Sequence, residues 1–560
     1  MHFFKTIIHI SAAVLIPFFY TSGQGVTEPK SVNVIALDDE DFEKICTLTS
    51  SDINAHYYVK SLAFRAKQNQ AEKSADIQVT FMNESGSNTW PSEAKIAFEY
   101  AIGIWEYYLT SNIPIRVKAN WRELGEFTLG SAGPTQIVQI DNGIPLTWYS
   151  IAQGSAISGI DFVSESKGSE DEINFDIEVN INSAWDDWYF GTDAQTPAGL
   201  IDFVTVVLHE IGHGLGFLGS MRVPEDRKIA EWGFGIPAYP IIYDRFVIDG
   251  EGNELTDRQA YANSSGQLYD AVTGQNGGIY FAGIQSIGSN DGKPAPLYAP
   301  TEWRSGSSYS HLDLKTYTNT ENALMRPQID RAFAIHSPGP VMCSIMADMG
   351  WPLGEECQDI LGTDSEIIVN KEPIYFGVTN AGTTVERSLR ITNDASATDP
   401  LVGRISVSGG NIYSVDNKNQ FLTLYPGEST DVKIFFKPSK EGIVKGEFEL
   451  IHTSTNLESP LNISLNGEAL AKNEFFKLEQ NYPNPFNATT IIPFVVSQTS
   501  QVKLEVYDAL GKHIQTLVDG EQSPGRYAMP FRANDISSGL YIYRIIVEGN
   551  SKTGKLLLVK

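Results

Sequence analysis

Three residues in this 560-residue chain stand at a spacing that serves chemistry. His209 and His213 are four positions apart, so on a helix they lie one turn apart on one face and can share a metal ion. Glu210 sits beside the pair without being a ligand. Zinc, held at about 2.0–2.1 Å by imidazole nitrogens and leaving one position to water, lowers the pKa of that water to about 7. Glu210 would take the proton and return it to a leaving amine, which is the chemistry of peptide-bond hydrolysis. The pattern His-Glu-x-x-His also arises by chance on surface helices. Here its flanks, Val206-Val207-Leu208 and Leu215 with Phe217, are apolar. Burying two histidines and a glutamate among them is costly unless they are paired or bind metal.

The segment around the motif has the pattern of the helix that must carry it. Val204, Leu208, Ile211 and Leu215 recur at helical spacing, and both histidines fall to one side of that stripe. The stripe is expected to face a core while the imidazoles face a cleft. Ile173 to Asn182 alternates apolar with polar residues and reads as a strand with one buried and one wet face. Ile77-Gln78-Val79-Thr80-Phe81 reads as another strand, and Ser92 to about Leu109 as a helix. Zinc wants a third protein ligand. Cys46, Cys343 and Cys357 are too widely spread to build a thiolate site, so the choice lies among His311, His336 and a carboxylate such as Glu231. Residues 221–308, rich in Gly, Pro, Asn and Tyr, read as a long irregular insertion.

The rest of the chain bounds the setting. Its length implies about three or four domains. With 41 basic against 68 acidic residues the net charge is −27, a field that repels nucleic acid and anionic membrane surfaces. The acidity leaves structural calcium open, although no loop spells out a site. Lys5, the apolar run Ile7 to Tyr20 and the small polar residues Thr21 to Gly25 read as a signal peptide over 1–25. That run falls short of the ~20 apolar residues of a spanning helix, so no transmembrane segment is expected in the mature chain. Residues 26–75 read as a candidate pro-segment. Cys343 and Cys357 could close a loop worth about 3 kcal/mol, which leaves Cys46 spare. From about Asp364 short alternating strands (Val432, Ile434, Phe436; Leu461, Ile463, Leu465), punctuated by Pro426-Gly427 and Asn466-Gly467, point to an immunoglobulin-like sandwich over 361–470. Residues 471–560, with Val502, Leu504, Val506 and then Tyr541, Tyr543, read as a second small β-domain.

Longer matches bring in known families. Gly216 follows His213 by three, where metzincin peptidases carry a glycine that ends the helix, but Gly219 stands where their common pattern has its third His. Tyr309-Ser310-His311-Leu312-Asp313, Asn322-Ala323-Leu324-Met325-Arg326-Pro327 and Ala347-Asp348-Met349-Gly350-Trp351 run in an order that resembles the leishmanolysin branch of the metzincins. There an insertion separates the helix motif from the third His, and a methionine turn underlies the metal. The resemblance, over roughly 76–357, implies His209, His213 and His311 as zinc ligands, Glu210 as catalytic base and Met325 as the turn methionine. It also implies an exposed edge strand that pairs with substrate backbone, for which 173–182 is the candidate. Cys46 could then be a thiolate plug of a latent enzyme, although nothing around Ile45-Cys46-Thr47 adds to that. Phe376-Gly377, Pro426-Gly427, Phe436-Lys437-Pro438 and Leu465-Asn466-Gly467 resemble immunoglobulin-like spacer or adhesion modules. Leu478 to Asn487, Val506-Tyr507-Asp508 and Ser538-Gly539-Leu540-Tyr541 resemble the sorting domain of the type IX secretion system of Bacteroidota. That implies the secretion machinery as a partner and release to, or display on, the cell surface.

The combined expectation is a multidomain chain: an α+β metzincin-like catalytic domain over 76–360, then two all-β domains, an Ig-like sandwich and a small β-sandwich sorting domain. Its expected function is that of a secreted zinc-dependent endopeptidase acting on proteins or peptides. The alternative is a surface adhesion or binding protein with an inactive peptidase-like domain.

Overall fold

A computed structural model describes residues 14–17, 31–37, 44–48, 54–60, 74–82, 89–167, 173–224, 227–361, 365–416 and 421–560. The chain is multidomain and mostly β, in two compact units, Met1–Gly362 and Thr363–Lys560. Along the first unit run β1 (Val14–Pro17), β2 (Ser31–Ala36), β3 (Lys44–Leu48), β4 (Asn54–Val59), β5 (Ile77–Met82), α1 (Ser92–Tyr108), β6 (Ile115–Arg122), β7 (Thr128–Pro134) and β8 (Ile177–Asn182). After them come α2 (Phe203–Gly214), β9 (Gln328–Ile329), β10 (Arg331–Ile335) and α3 (Gly339–Asp348). Most of the proposed leader, 1–25, lies outside the described residues; β1 within it pairs antiparallel with β2. Among the described residues no helix is long and apolar enough to cross a membrane.

A six-stranded sheet of order β9-β3-β7-β8-β6-β5 forms the frame. β5, β6 and β8 are parallel, β7 is antiparallel to β8, and β3 is antiparallel to β7. The described residues of 26–75 are thus woven into the unit: β3 lies inside the main sheet and β4 pairs in parallel with β10.

The strand predicted over 173–182 is Ile177–Asn182, and it is neither half-wet nor at an edge. It lies between β7 and β6, with Asn180 and Asn182 buried. Asn120 Nδ2 donates to Asn180 Oδ1 at 2.9 Å, and Asn180 Nδ2 donates to Ser131 Oγ at 3.2 Å. The polar half of the alternation therefore meets polar neighbours in the sheet rather than water.

α2 packs its stripe into one core with α1 and β8 (Phe98, Trp105, Ile177, Val204, Leu208, Ile211). Asp202 caps it by accepting from Thr205 N at 2.8 Å. The insertion is less irregular than its composition implies. It holds a three-stranded sheet (Val247–Asp249, Ile279–Phe281, Ala295–Pro296), and Tyr243, Leu268 and Phe281 anchor it in the same core. Cys343 on α3 is bonded to Cys357, with Cα atoms 5.4 Å apart.

In the second unit alternation translates directly into sheets. A four-stranded and a five-stranded sheet share a core that includes Ile391, Val432, Ile434, Phe436, Phe448, Leu450, Ile463 and Leu465. Residues 476–558 form a three- and a four-stranded sheet around Phe494, Val506, Tyr543, Leu556 and Leu558.

Candidate metal centre

His209 and His213 project from α2, and His311 arrives from the end of the insertion. All three rings are buried. Their Nε2 atoms form a triangle with edges of 3.0 Å (209–213), 3.2 Å (209–311) and 3.1 Å (213–311). Each Nδ1 faces a backbone carbonyl: Leu324 O at 2.7 Å for His209, Phe217 O at 2.8 Å for His213 and Ser307 O at 2.7 Å for His311. A carbonyl only accepts, so each Nδ1 carries the ring proton and donates it. Three unprotonated Nε2 lone pairs then converge with no proton among them. Burial also presses the His209 pKa down to about 4, which keeps that ring neutral near pH 7. Such a triangle is unfavourable without a cation at its focus. Ligands of a tetrahedral zinc at ~2.0–2.1 Å lie about 3.3–3.4 Å apart, so the three nitrogens fit that ion, and carbonyls orienting the rings are its usual support.

Glu210 is buried beside the triangle. Gly130 on β7 makes room for it: a Cβ there would lie 2.8 Å from Glu210 Oε1. Met325 is buried beneath α2, and a Cβ on Gly212 would meet its Sδ at 3.0 Å. Met325 O accepts from Leu312 N at 2.8 Å, tying the methionine turn to the residue after His311. The other candidates are used elsewhere. His336 Nε2 lies 2.9 Å from Asp202 Oδ1, at the cap of α2. Glu231 Oε1 accepts from Arg222 Nε at 2.9 Å.

Two features differ from what the sequence implies. The imidazoles do not face an open cleft, because β3 lies along β7 with Cys46 opposite Gly130. Ligand-type atoms of Cys46, His209 and Glu210 all lie within 4.8 Å of one another. Second, the strand beside Glu210 that β3 covers is β7, not β8. No local signal in Ile45-Cys46-Thr47 announces this placement; it depends on a sheet pairing with residues more distant in the chain.

Three segments match family models: residues 168–229, which span α2, match "SPBPB7E8-like"; residues 364–469 match "Cep192 domain 4"; residues 480–560 match "Secretion system C-terminal sorting domain". Among solved structures, the PapD-like domain 7 of human CEP192 is 19% identical, covering 20% of this chain and 88% of that one, with a TM-score of 0.16. Dimeric latent PorU from Porphyromonas gingivalis is 11% identical over 35% of this chain and 20% of that one, TM-score 0.16. The VesB protease of Vibrio cholerae is 16% identical over 21% and 37%, TM-score 0.15. No curated protein matches the chain. The sorting domain at 480–560 indicates export through the type IX secretion machinery to the cell surface or the extracellular space.

Proposed function

We propose that the first unit is a zinc endopeptidase of the metzincin type, akin to the leishmanolysin branch, and that the full-length chain is its latent form. The observation that carries this reading is the convergence of three Nε2 lone pairs, each enforced by an Nδ1–carbonyl bond, beside the buried Glu210. His209, His213 and His311 would hold the ion. When bound, zinc supplies Lewis acidity toward a peptide carbonyl and toward water. Glu210 takes a proton from the attacking water and delivers it to the leaving amine. The closed wall of apolar residues around α2 strengthens both interactions by excluding solvent.

β7 is the strand along which a polypeptide would add, read mainly through its main-chain groups. β3 fills that position, and Cys46 lies where its sulfur meets His209 and Glu210. Displacement of β3 is therefore the activating step. The sandwich over 365–470, Ig-like in our reading, serves as a spacer between the peptidase and the sorting domain.

The test uses full-length protein carrying Cys46→Ser, with and without limited trypsin treatment. Both forms are expected to hold about one zinc per chain, and the treated form, once trypsin is inhibited, to cleave unfolded casein faster than the untreated one. The same chain with Glu210→Gln should keep zinc and lose cleavage; undiminished cleavage would sink the mechanism. Bound zinc with no cleavage by any form favours the adhesion alternative.

A further inference from the structure

Resting on the reading of His311 as the third ligand, we infer that Asp244 is the positioning residue that sets His311 in place, acting through Tyr309. The starting observation is Gly219, six positions after His213. A Cβ there would lie 2.0 Å from Tyr309 Cε1 and 2.7 Å from Asp244 Oδ1. The Tyr309 ring thus occupies the space a side chain at 219 would need, and it belongs to the segment that carries His311.

The segment is tied down at successive residues. Tyr309 Oη donates to Asp244 Oδ1 at 3.0 Å, Tyr243 Oη donates to Tyr309 O at 3.0 Å, and Gly219 N donates to Ser310 Oγ at 3.0 Å. Asp244 is the hub. Its Oδ1 also accepts from Ser220 N at 3.0 Å, and its Oδ2 accepts from Ile241 N at 3.0 Å and from the Ser220 hydroxyl. One carboxylate therefore joins the chain leaving α2 (Ser220), the insertion (Ile241) and the ligand segment (Tyr309).

Asp244, Tyr243, Tyr309 and His311 are all fully buried, and Tyr309 sits at φ 74°, a left-handed conformation uncommon outside glycine. Such a backbone persists only where its surroundings over-determine it, and the bonds to Asp244 and Tyr243 do so. Two residues further on, the His311 imidazole reaches the triangle.

The experiment compares full-length wild type, Asp244→Asn, Tyr309→Phe and His311→Ala. Zinc affinity is read by competition with a chromophoric chelator, ligand geometry by the d–d absorption of the cobalt(II)-loaded protein, and folding by the melting temperature of the metal-free chain. Outer partners of metal ligands are typically worth 10–100-fold in affinity. Asp244→Asn is expected to lose affinity in that range, with a weaker and shifted cobalt band, and Tyr309→Phe somewhat less. Metal-free melting of Tyr309→Phe is expected to stay close to wild type, since the phenyl ring still fills the space over Gly219. Wild-type zinc affinity and cobalt spectrum in Tyr309→Phe would overturn the inference, and that variant decides the matter if Asp244→Asn fails to fold. Wild-type affinity in His311→Ala, or no zinc in wild type, would instead overturn the underlying reading of the site, and this inference with it.

Discussion

In the first unit Asp176, Asp202, Asp244, Arg326 and His336 are buried, each 0–1% exposed. In the second unit the ion pairs Arg526–Glu468, Arg526–Glu479, Lys433–Glu386 and Arg390–Asp431 lie largely at the surface. His452, at 3% exposed, is an exception, and Glu505, at 6%, is another. Glu505 is met by the Tyr507 hydroxyl, Lys503 and Arg544, which pull its pKa down to about 2. The sheets of the second unit carry the charges of the surface pairs on their outer faces, where alternation leaves them in water at little cost. The first unit, which holds three imidazoles and a glutamate in its core, also buries Asp202 and Asp244, each met by several donors.

The contrast between the units is sharpest at the site itself. On the proposed function, Glu210→Gln is expected to lower the rate of peptide cleavage by about 10²–10⁴-fold with zinc retained, the scale of general acid–base catalysis; metal analysis and peptidase assay on one sample check it. Next comes Asp202, which accepts from Thr205 N and Thr196 Oγ1 and faces His336 Nε2. Asp202→Ala strips the cap of α2 and leaves buried partners unmet, so a loss of roughly 2–4 kcal/mol is expected by denaturant titration. Zinc affinity of the folded chain should change little, because Asp202 and His336 meet at the N-terminal end of α2, remote from the histidines.

A pH effect of moderate size is expected from Asp176. Burial raises its pKa to about 7 against the opposing pull of Arg116 N and the Arg116 guanidinium. The folded state therefore holds a proton that the unfolded state releases between about pH 4 and pH 7, and stability falls as pH rises through that window. Asp176→Asn should flatten this slope, read as melting temperature against pH; an unchanged slope would remove Asp176 from the account. The smallest effect belongs to the second unit. Arg526 is 40% exposed in its side chain, so Arg526→Ala should cost no more than about 1 kcal/mol, and less in high salt. A larger loss there would blur the contrast between the units.

Much of the second unit is legible in the sequence. Strands such as Ser429–Phe436 and Leu461–Leu470 carry their buried residues in plain alternation. In the first unit the helix, its cap at Asp202 and the pairing of His209 with His213 are equally local, because residues four apart share a helix face. The alternation of β8 misleads, since polar residues opposite polar residues in a sheet interior look the same in sequence as polar residues facing water.

By itself, the sequence determined the local faces of several elements: the histidine face of α2 and the apolar faces of the sandwich strands. Tertiary structure alone decided what lies opposite each face. It brought His311, 98 residues from His213, to the triangle and sent His336 to a helix cap. It set β3 along β7, and with it Cys46 beside Glu210. The reason is that periodicity is a property of neighbours along the chain. Which distant segments meet is settled by closing long loops onto complementary surfaces, such as the Tyr309 ring over Gly219.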